Sequence, residues 1–350
     1  MNPASAPTAD PLAPLFPGRA PPPPDPAEAP PRLLVVVDTE EAFDWSAPFD
    51  RTSHTVDHLQ EAPRFQELCE SFGLLPCWAV TYPVAHDEAA AEILRPFFRD
   101  QRAELGAHLH PWVTPPFDET LSSFHSYPGN LPRELEKAKL RRLTQRLAAA
   151  FGRQPIAYRA GRYGLGPHTG AILGELGYRV DLSAGPPFDM TADGGPDYTR
   201  LPCLPFRFGQ GVLEIPSTGG WTGPLRPWGA DLYPMGDQPW AKALHWRGAM
   251  SRFGLLNRIR LSPEGFTFPD MRRLALALRR DGVRIFVLSF HSPSLQPGHT
   301  PYVRTPEDRD QLLMRCRDFF AFFRDHLGGV WSSPGEMVRR TSTPSPGSAP

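Results

Sequence analysis

His108 and His110 stand two residues apart in the stretch Glu104-Leu105-Gly106-Ala107-His108-Leu109-His110-Pro111-Trp112. On a β-strand, positions i and i+2 share a face, so both imidazoles would point the same way. Two neutral imidazoles on one face, closed off by Pro111 and a Pro-rich loop, are the start of a metal site. Two ordinary hydrogen-bonding histidines at a strand end are the plainer alternative. Carboxylates follow another apolar run, in Asp38-Thr39-Glu40-Glu41. One carboxylate with two imidazoles is a three-donor set for Zn²⁺ or a similar divalent ion. Such an ion lowers the pKa of bound water to about 7 and makes it a nucleophile. A second carboxylate can accept the proton released. An opposed histidine can protonate a leaving amine or alkoxide, and an arginine can hold the basic carboxylate in place. The set reads as metal-assisted hydrolysis.

These groups act together only if the fold brings them to one rim. Short apolar runs alternate with amphipathic segments along the chain. Strands are predicted over 33–37, 75–80, 104–110, 156–160 and 178–182, then 212–215, 283–290 and 330–331. Helices are predicted over 59–72, 88–99, 132–151 and 170–176, then 269–280 and 306–323. Residues 184–262 are irregular and rich in Gly, Pro and Trp. The alternation argues for a parallel sheet with covering helices, and the number of units suits an irregular barrel of about seven or eight strands. Working residues gather at the C-terminal strand ends of such folds. Those ends carry Asp38 to Glu41, His108 to His110, Arg159 to Gly164, Asp181, and Leu288 to His291.

The 350 residues are enough for one sizeable core, and 21% charged residues with 40% apolar ones place the chain among globular proteins. A net charge of -1 gives no reason to expect nucleic acid or an anionic membrane surface as a partner. No run approaches the roughly 18 apolar residues of a membrane span, so no integral membrane segment is expected. The start lacks a secretory pattern. Cys69, Cys77, Cys203 and Cys316 form no Cys-x-x-Cys pair and read as reduced thiols, which favours the cytoplasm. The 44 prolines concentrate in the tails. Residues 1–31 are therefore expected to be a disordered lead, 32–335 a catalytic barrel and 336–350 a disordered tail.

The ordered motifs resemble those of the polysaccharide deacetylases (the NodB-like, carbohydrate esterase family 4 group). Asp38-Thr39-Glu40 looks like the first motif and Glu104 to His110 the second. Arg159 to Gly164 looks like the third, Asp181 the fourth and Leu288 to His291 the fifth. The wording Asp-Thr-Glu-Glu, Ala-His-Leu-His-Pro-Trp and Phe-His-Ser-Pro-Ser-Leu is closest to the WalW-type branch found among cell-surface polysaccharide genes. The resemblance implies a distorted (β/α) barrel of about seven strands and a divalent metal, zinc before others. It implies removal of N-acetyl groups from an amino sugar or polysaccharide precursor. By position, Asp38 would be the general base, with Glu40, His108 and His110 as metal ligands. Arg159 would orient Asp38, and His291 would be the general acid. Two departures stand out: Thr39 separates carboxylates that are usually adjacent, and Trp112 occupies the place of the usual i+4 histidine. His110 must then take the second ligand role. An amidohydrolase on a small non-sugar amide and an inactive carbohydrate-binding barrel are the alternatives; oligomeric state is not legible.

Other residues invite attention. Arg162 competes with Arg159 as the orienting cation. His54 and His58 stand at i and i+4, which suggests a metal pair but fits a solvated helix better. Asp44 and Trp45 could line the cleft or pack a loop. Trp221, Trp228 and Trp240 could stack on sugars, though loop packing is the simpler role. Gly161, Gly164 and Gly166 lack the Lys-Ser/Thr that a phosphate loop requires.

Overall fold

A computed structural model describes residues 12–21 and 29–342. Its strands are β1 (Arg32–Thr39), β2 (Cys77–Val80), β3 (Glu104–Leu109), β4 (Ala157–Ala160), β5 (Val180–Asp181), β6 (Phe206–Phe208), β7 (Val212–Glu214), β8 (Gly219–Thr222), β9 (Asn257–Arg260), β10 (Ile285–His291) and β11 (Val330–Trp331). The main sheet runs β10-β1-β2-β3-β4-β5-β7-β6, with β11 on β1; β8 and β9 form a separate antiparallel pair. From β10 through β7 every pairing is parallel. This is the expected distorted (β/α) barrel, left open because β6 and β10 do not pair.

Strand parity explains how the fold exposes chemistry on one face. All eight residues of β1 are buried, as in a parallel strand covered on both sides. Leu33, Val35 and Val37 enter the large core under the helices. Leu34 and Val36 join a smaller inner cluster with Cys77, Ala79, Ala157, Val180, Ile285 and Val287. Continuing two residues at a time along that inner face, β1 reaches Asp38 and then Glu40. The same step takes β4 from Ala157 to Arg159, and β10 from Val287 through Ser289 to His291. The apolar inner cluster is thus a floor, and the next inward positions toward the C-terminal ends are polar.

Most of the predicted elements are present. The helix over Glu88–Arg99 starts at Asp87, whose carboxylate caps the Ala90 amide. The helix over Arg133–Phe151 stops at Gly152, whose φ of 71° suits a residue without a side chain. The irregular stretch contains the short strands β6, β8 and β9, unforeseen from sequence.

The terminal segments differ from expectation where they are described. Residues 12–21 dock on the sheet edge: Ala20 bridges Arg207, and Phe16 is buried edge-on against Phe206 and Phe208. A helix over Pro334–Ser342 inserts Met337 into the inner cluster. Apolar side chains among the prolines supply the burial that average composition hides. Residues 1–11, 22–28 and 343–350 of the expected lead and tail lie outside the described residues. The four cysteines are buried and unbridged. No helix among the described residues is long and apolar enough to cross a membrane.

Candidate metal centre and proton-transfer groups

His110 follows β3 with extended φ and ψ (-100° and 108°), so strand alternation continues one residue past Leu109. Both rings therefore face inward, with centroids 4.5 Å apart. Each has its orientation fixed from behind. His108 donates Nδ1–H to the Arg159 carbonyl at 3.0 Å, and His110 donates Nδ1–H to Glu41 Oε1 at 2.7 Å. Those bonds leave both Nε2 atoms turned toward Glu40 Oε2, at 3.2 and 3.3 Å. Backing of this kind, by a carbonyl or carboxylate on the far nitrogen, selects the ligating tautomer of a metal-bound histidine. Glu40, His108 and His110 offer donor atoms all within 4.8 Å of one another. The donor set fits a divalent cation.

Electrostatics agree with that fit. Burial alone would raise the Glu40 pKa, but His291, His108 and His110 hold it well below the ordinary carboxylate range. Burial disfavours charge on His110, yet Glu41 foremost, with Glu40, brings its pKa up to about 9. Without a cation, a proton on His110 supplies the positive charge that this carboxylate-rich corner demands. Trp112 stacks on His110 with centroids 4.1 Å apart, so the ring at the i+4 position packs against the candidate ligand histidine. Gly161 lies against the other edge; a Cβ there would sit 2.6 Å from His110 Cδ2.

Register brings the remaining groups together. Asp38 pairs with His291 across β1 and β10, and His108 with Arg159 across β3 and β4. Arg159 Nε approaches Asp38 Oδ1 at 2.5 Å. The rest of its guanidinium donates to the Leu182 carbonyl, Ser217 Oγ and Ser289 Oγ, so the cation is fixed within the barrel. Arg162 turns outward to Ser126 and Asp193, which decides between the two arginines. His291 Nε2 stands 3.8 Å from Asp38 Oδ2, while its Nδ1 donates to Glu264 Oε2 at 2.7 Å. Burial opposes a charge on His291, but Glu264 first, then Glu40 and Asp38, carry its pKa well above the usual imidazole value.

All six predicted site residues, Asp38, Glu40, His108, His110, Arg159 and His291, line one cleft of about 420 Å³. Its walls include Trp45, Phe49, Tyr127, Tyr163, Arg260 and Tyr302. Trp45 lies edge-on to His291 at 4.9 Å, so of the two loop residues it is the one that lines the cleft, while Asp44 binds Ser46. Asp181 is not there. Val180 and Leu182 belong to the inner cluster, which turns Asp181 to the helix side beside Glu214. Trp221, Trp228 and Trp240 also lie away from the cleft, and Trp221 packs on Tyr233. His58 corrects the solvated-helix expectation: it is fully buried, with Nε2 3.0 Å from Ser292 Oγ, and His54 alone is exposed. Glu41 and Glu264, which position the two histidines, were not singled out from sequence.

No family model and no curated protein matches this sequence. Solved structures do. A candidate polysaccharide deacetylase from Mycobacterium smegmatis is 19% identical, with 92% of this chain and 93% of that one covered at a TM-score of 0.50. A candidate glycoside hydrolase/deacetylase from Parabacteroides distasonis is 10% identical, with 91% of this chain and 74% of that one covered at 0.53. At these identities the likeness is one of fold: the chain has the curled, parallel-rich half-barrel of these proteins.

Proposed function

We propose that this protein is a metal-dependent hydrolase that removes N-acetyl groups from an amino sugar or a polysaccharide precursor. The observation that carries this reading is a three-donor pocket with a carboxylate, Asp38, and an imidazole, His291, beside it in the same cleft. Glu40, His108 and His110 would hold the cation, and zinc suits two imidazoles and a carboxylate. When bound, the cation supplies Lewis acidity, activating water and stabilising negative charge on the acyl oxygen.

The chain's own residues do the rest. Asp38, pinned by Arg159, takes a proton from the attacking water through the oxygen that Arg159 Nε does not contact. His291 carries a proton, held on the ring by Glu264, and delivers it from Nε2 to the departing amine nitrogen. The 3.8 Å between Asp38 and His291 leaves the two groups close without a direct hydrogen bond, so each can face a different part of one small acyl group. Trp45, Tyr163 and Tyr302 offer apolar faces for a sugar ring, and Arg260 adds a polar anchor.

Acetate release from N-acetylglucosamine oligomers by the zinc- or cobalt-loaded protein tests the proposal. Asp38→Asn should lower turnover by about 10²–10⁴ with metal content unchanged, and Glu40→Gln should lose the metal of this centre. Metal without acetate release would point to another amide, and neither would favour a carbohydrate-binding barrel. Metal lost from Asp38→Asn would exchange the roles of the two carboxylates.

A further inference from the structure

A second cluster of donors lies behind the cleft wall. Asp57, His58 and His299 bring ligand atoms within 4.8 Å of one another. Asp57 opens a short 3-10 turn (Asp57–Glu61), and His299 lies in the loop after β10. His299 Nε2 is 3.8 Å from Asp57 Oδ1, and the two imidazole centroids are 5.7 Å apart.

His58 gives this cluster its direction. The residue is fully buried, and Nδ1 has no hydrogen-bond partner. Its other nitrogen meets Ser292 Oγ at 3.0 Å, and the same Ser292 oxygen accepts the Glu40 amide N–H at 3.2 Å. If Nε2 carries the ring proton and donates to Ser292, a buried lone pair is left on Nδ1. If Ser292 donates instead, a buried N–H is left there. Either orphan is unfavourable in a protein interior. Only the first tautomer turns the orphan into a metal ligand, with the far nitrogen backed by an oxygen as ligating histidines require.

We propose that Asp57 Oδ1, His58 Nδ1 and His299 Nε2 form a second divalent-cation site, separate from the Glu40 centre and joined to it through Ser292. Two imidazoles and one carboxylate select zinc, cobalt or nickel over calcium or magnesium. His58 is the fixed member. Asp57 is exposed and His299 half-buried, so both can close the small distance to an ion. An adjoining groove of about 730 Å³, lined by His299, Thr300, Arg304 and Trp45, leaves water access to the remaining coordination positions. An ion here would tie the loop that carries Tyr302 to the turn at Asp57, and so steady one wall of the cleft.

The test is metal stoichiometry, which does not depend on the hydrolase reading. Chelator-stripped full-length protein is titrated with Co²⁺ and followed by visible absorption and calorimetry. Two equivalents are expected for the wild type. His299→Ala and Asp57→Asn, both at accessible positions, should each weaken one equivalent by more than about a hundredfold and leave the other unchanged. Glu40→Gln should remove the other equivalent instead. A wild type that binds one equivalent, lost in His299→Ala and kept in Glu40→Gln, would support this site and refute the Glu40 centre. Unchanged stoichiometry and spectrum in both His299→Ala and Asp57→Asn would overturn the second site.

Discussion

Glu41→Gln separates two roles that one carboxylate plays at the proposed metal centre. Glu41 Oε1 accepts Nδ1–H of His110 at 2.7 Å, and glutamine can still accept that bond through its amide oxygen. Only the negative charge is removed. In the wild type that charge, with Glu40, brings the His110 pKa up to about 9. A cation must displace this proton, so at pH 7 proton competition costs a factor of about 10² in apparent affinity, two units below the pKa. Apparent affinity should therefore rise about tenfold per pH unit from pH 6 toward 9 and then level off. The variant loses ligand basicity, an effect of about 10–100-fold in metal affinity when the group backing a ligand is changed. Its His110 also titrates lower, nearer the ordinary value of about 6.5, so its curve should level off earlier. Wild type should bind about 5- to 50-fold tighter at pH 9, and the two curves should meet between about pH 8 and 7, below which the variant binds no more weakly. Chelator-buffered Co²⁺ titrations across that range measure both curves. Parallel curves would show that Glu41 does not act through the charge on His110. Equal affinity at pH 9 would show that it does not tune the ligand at all.

Three further outcomes follow from the same geometry. Glu264→Gln removes the main source of the raised His291 pKa, so the alkaline limb of the kcat profile should move down by about 1–3 pH units, with the rate at lower pH largely kept; an unmoved limb would exclude His291 as the acid. Lys139→Met should destabilise the fold by about 3–5 kcal/mol in urea unfolding. Its buried ammonium donates to the carbonyls of Pro111, Thr114 and Pro116 and contacts Glu119, so it anchors the loop that follows His110. A loss below about 1 kcal/mol would mean the loop holds itself. Arg260→Ala should raise KM for a sugar amide more than it lowers kcat, since its guanidinium reaches the cleft wall at Tyr163, away from Asp38 and His291; a fall in kcat alone would place it in the chemistry.

The legible parts of the fold are those in which local pattern and tertiary environment agree. A doubly covered parallel strand needs an unbroken apolar run, and Leu33 to Val37 supplies one. Helices with a clear stripe and a terminal Gly were similarly readable. Between β5 and β10 the strands β6, β8 and β9 were not, because they span only three or four residues each and derive their order from neighbours. Glu264 sits in that stretch, and its partner His291 is 27 residues onward, so no local signal marks it. Phe16 was hidden by the prolines around it. His58 was misjudged for a related reason: the group that buries it, Ser292, is 234 residues away. Glu41 has no local signal either, since its partner His110 is 69 residues onward.

The two departures from the deacetylase pattern are better understood together than apart. Separating the carboxylates by Thr39 moves the one proposed as a ligand further along β1, and glutamate extends it by one methylene. Shortening the histidine spacing keeps both imidazoles on the extended run that ends at His110, where strand parity points them inward without help from a helical turn. The outcome is a single oxygen, Glu40 Oε2, almost equidistant from the two Nε2 atoms at 3.2 and 3.3 Å. A glutamate placed one residue earlier would fall on the helix side of β1 with Val37, whereas position 112 lies within the 3-10 turn Pro111–Val113 and its side chain already lines the cleft. Moving the carboxylate alone would therefore separate the donors. Trp112 stacks on His110 at 4.1 Å, so a histidine in its place, with the carboxylate unmoved, should loosen His110 and weaken the proposed metal centre.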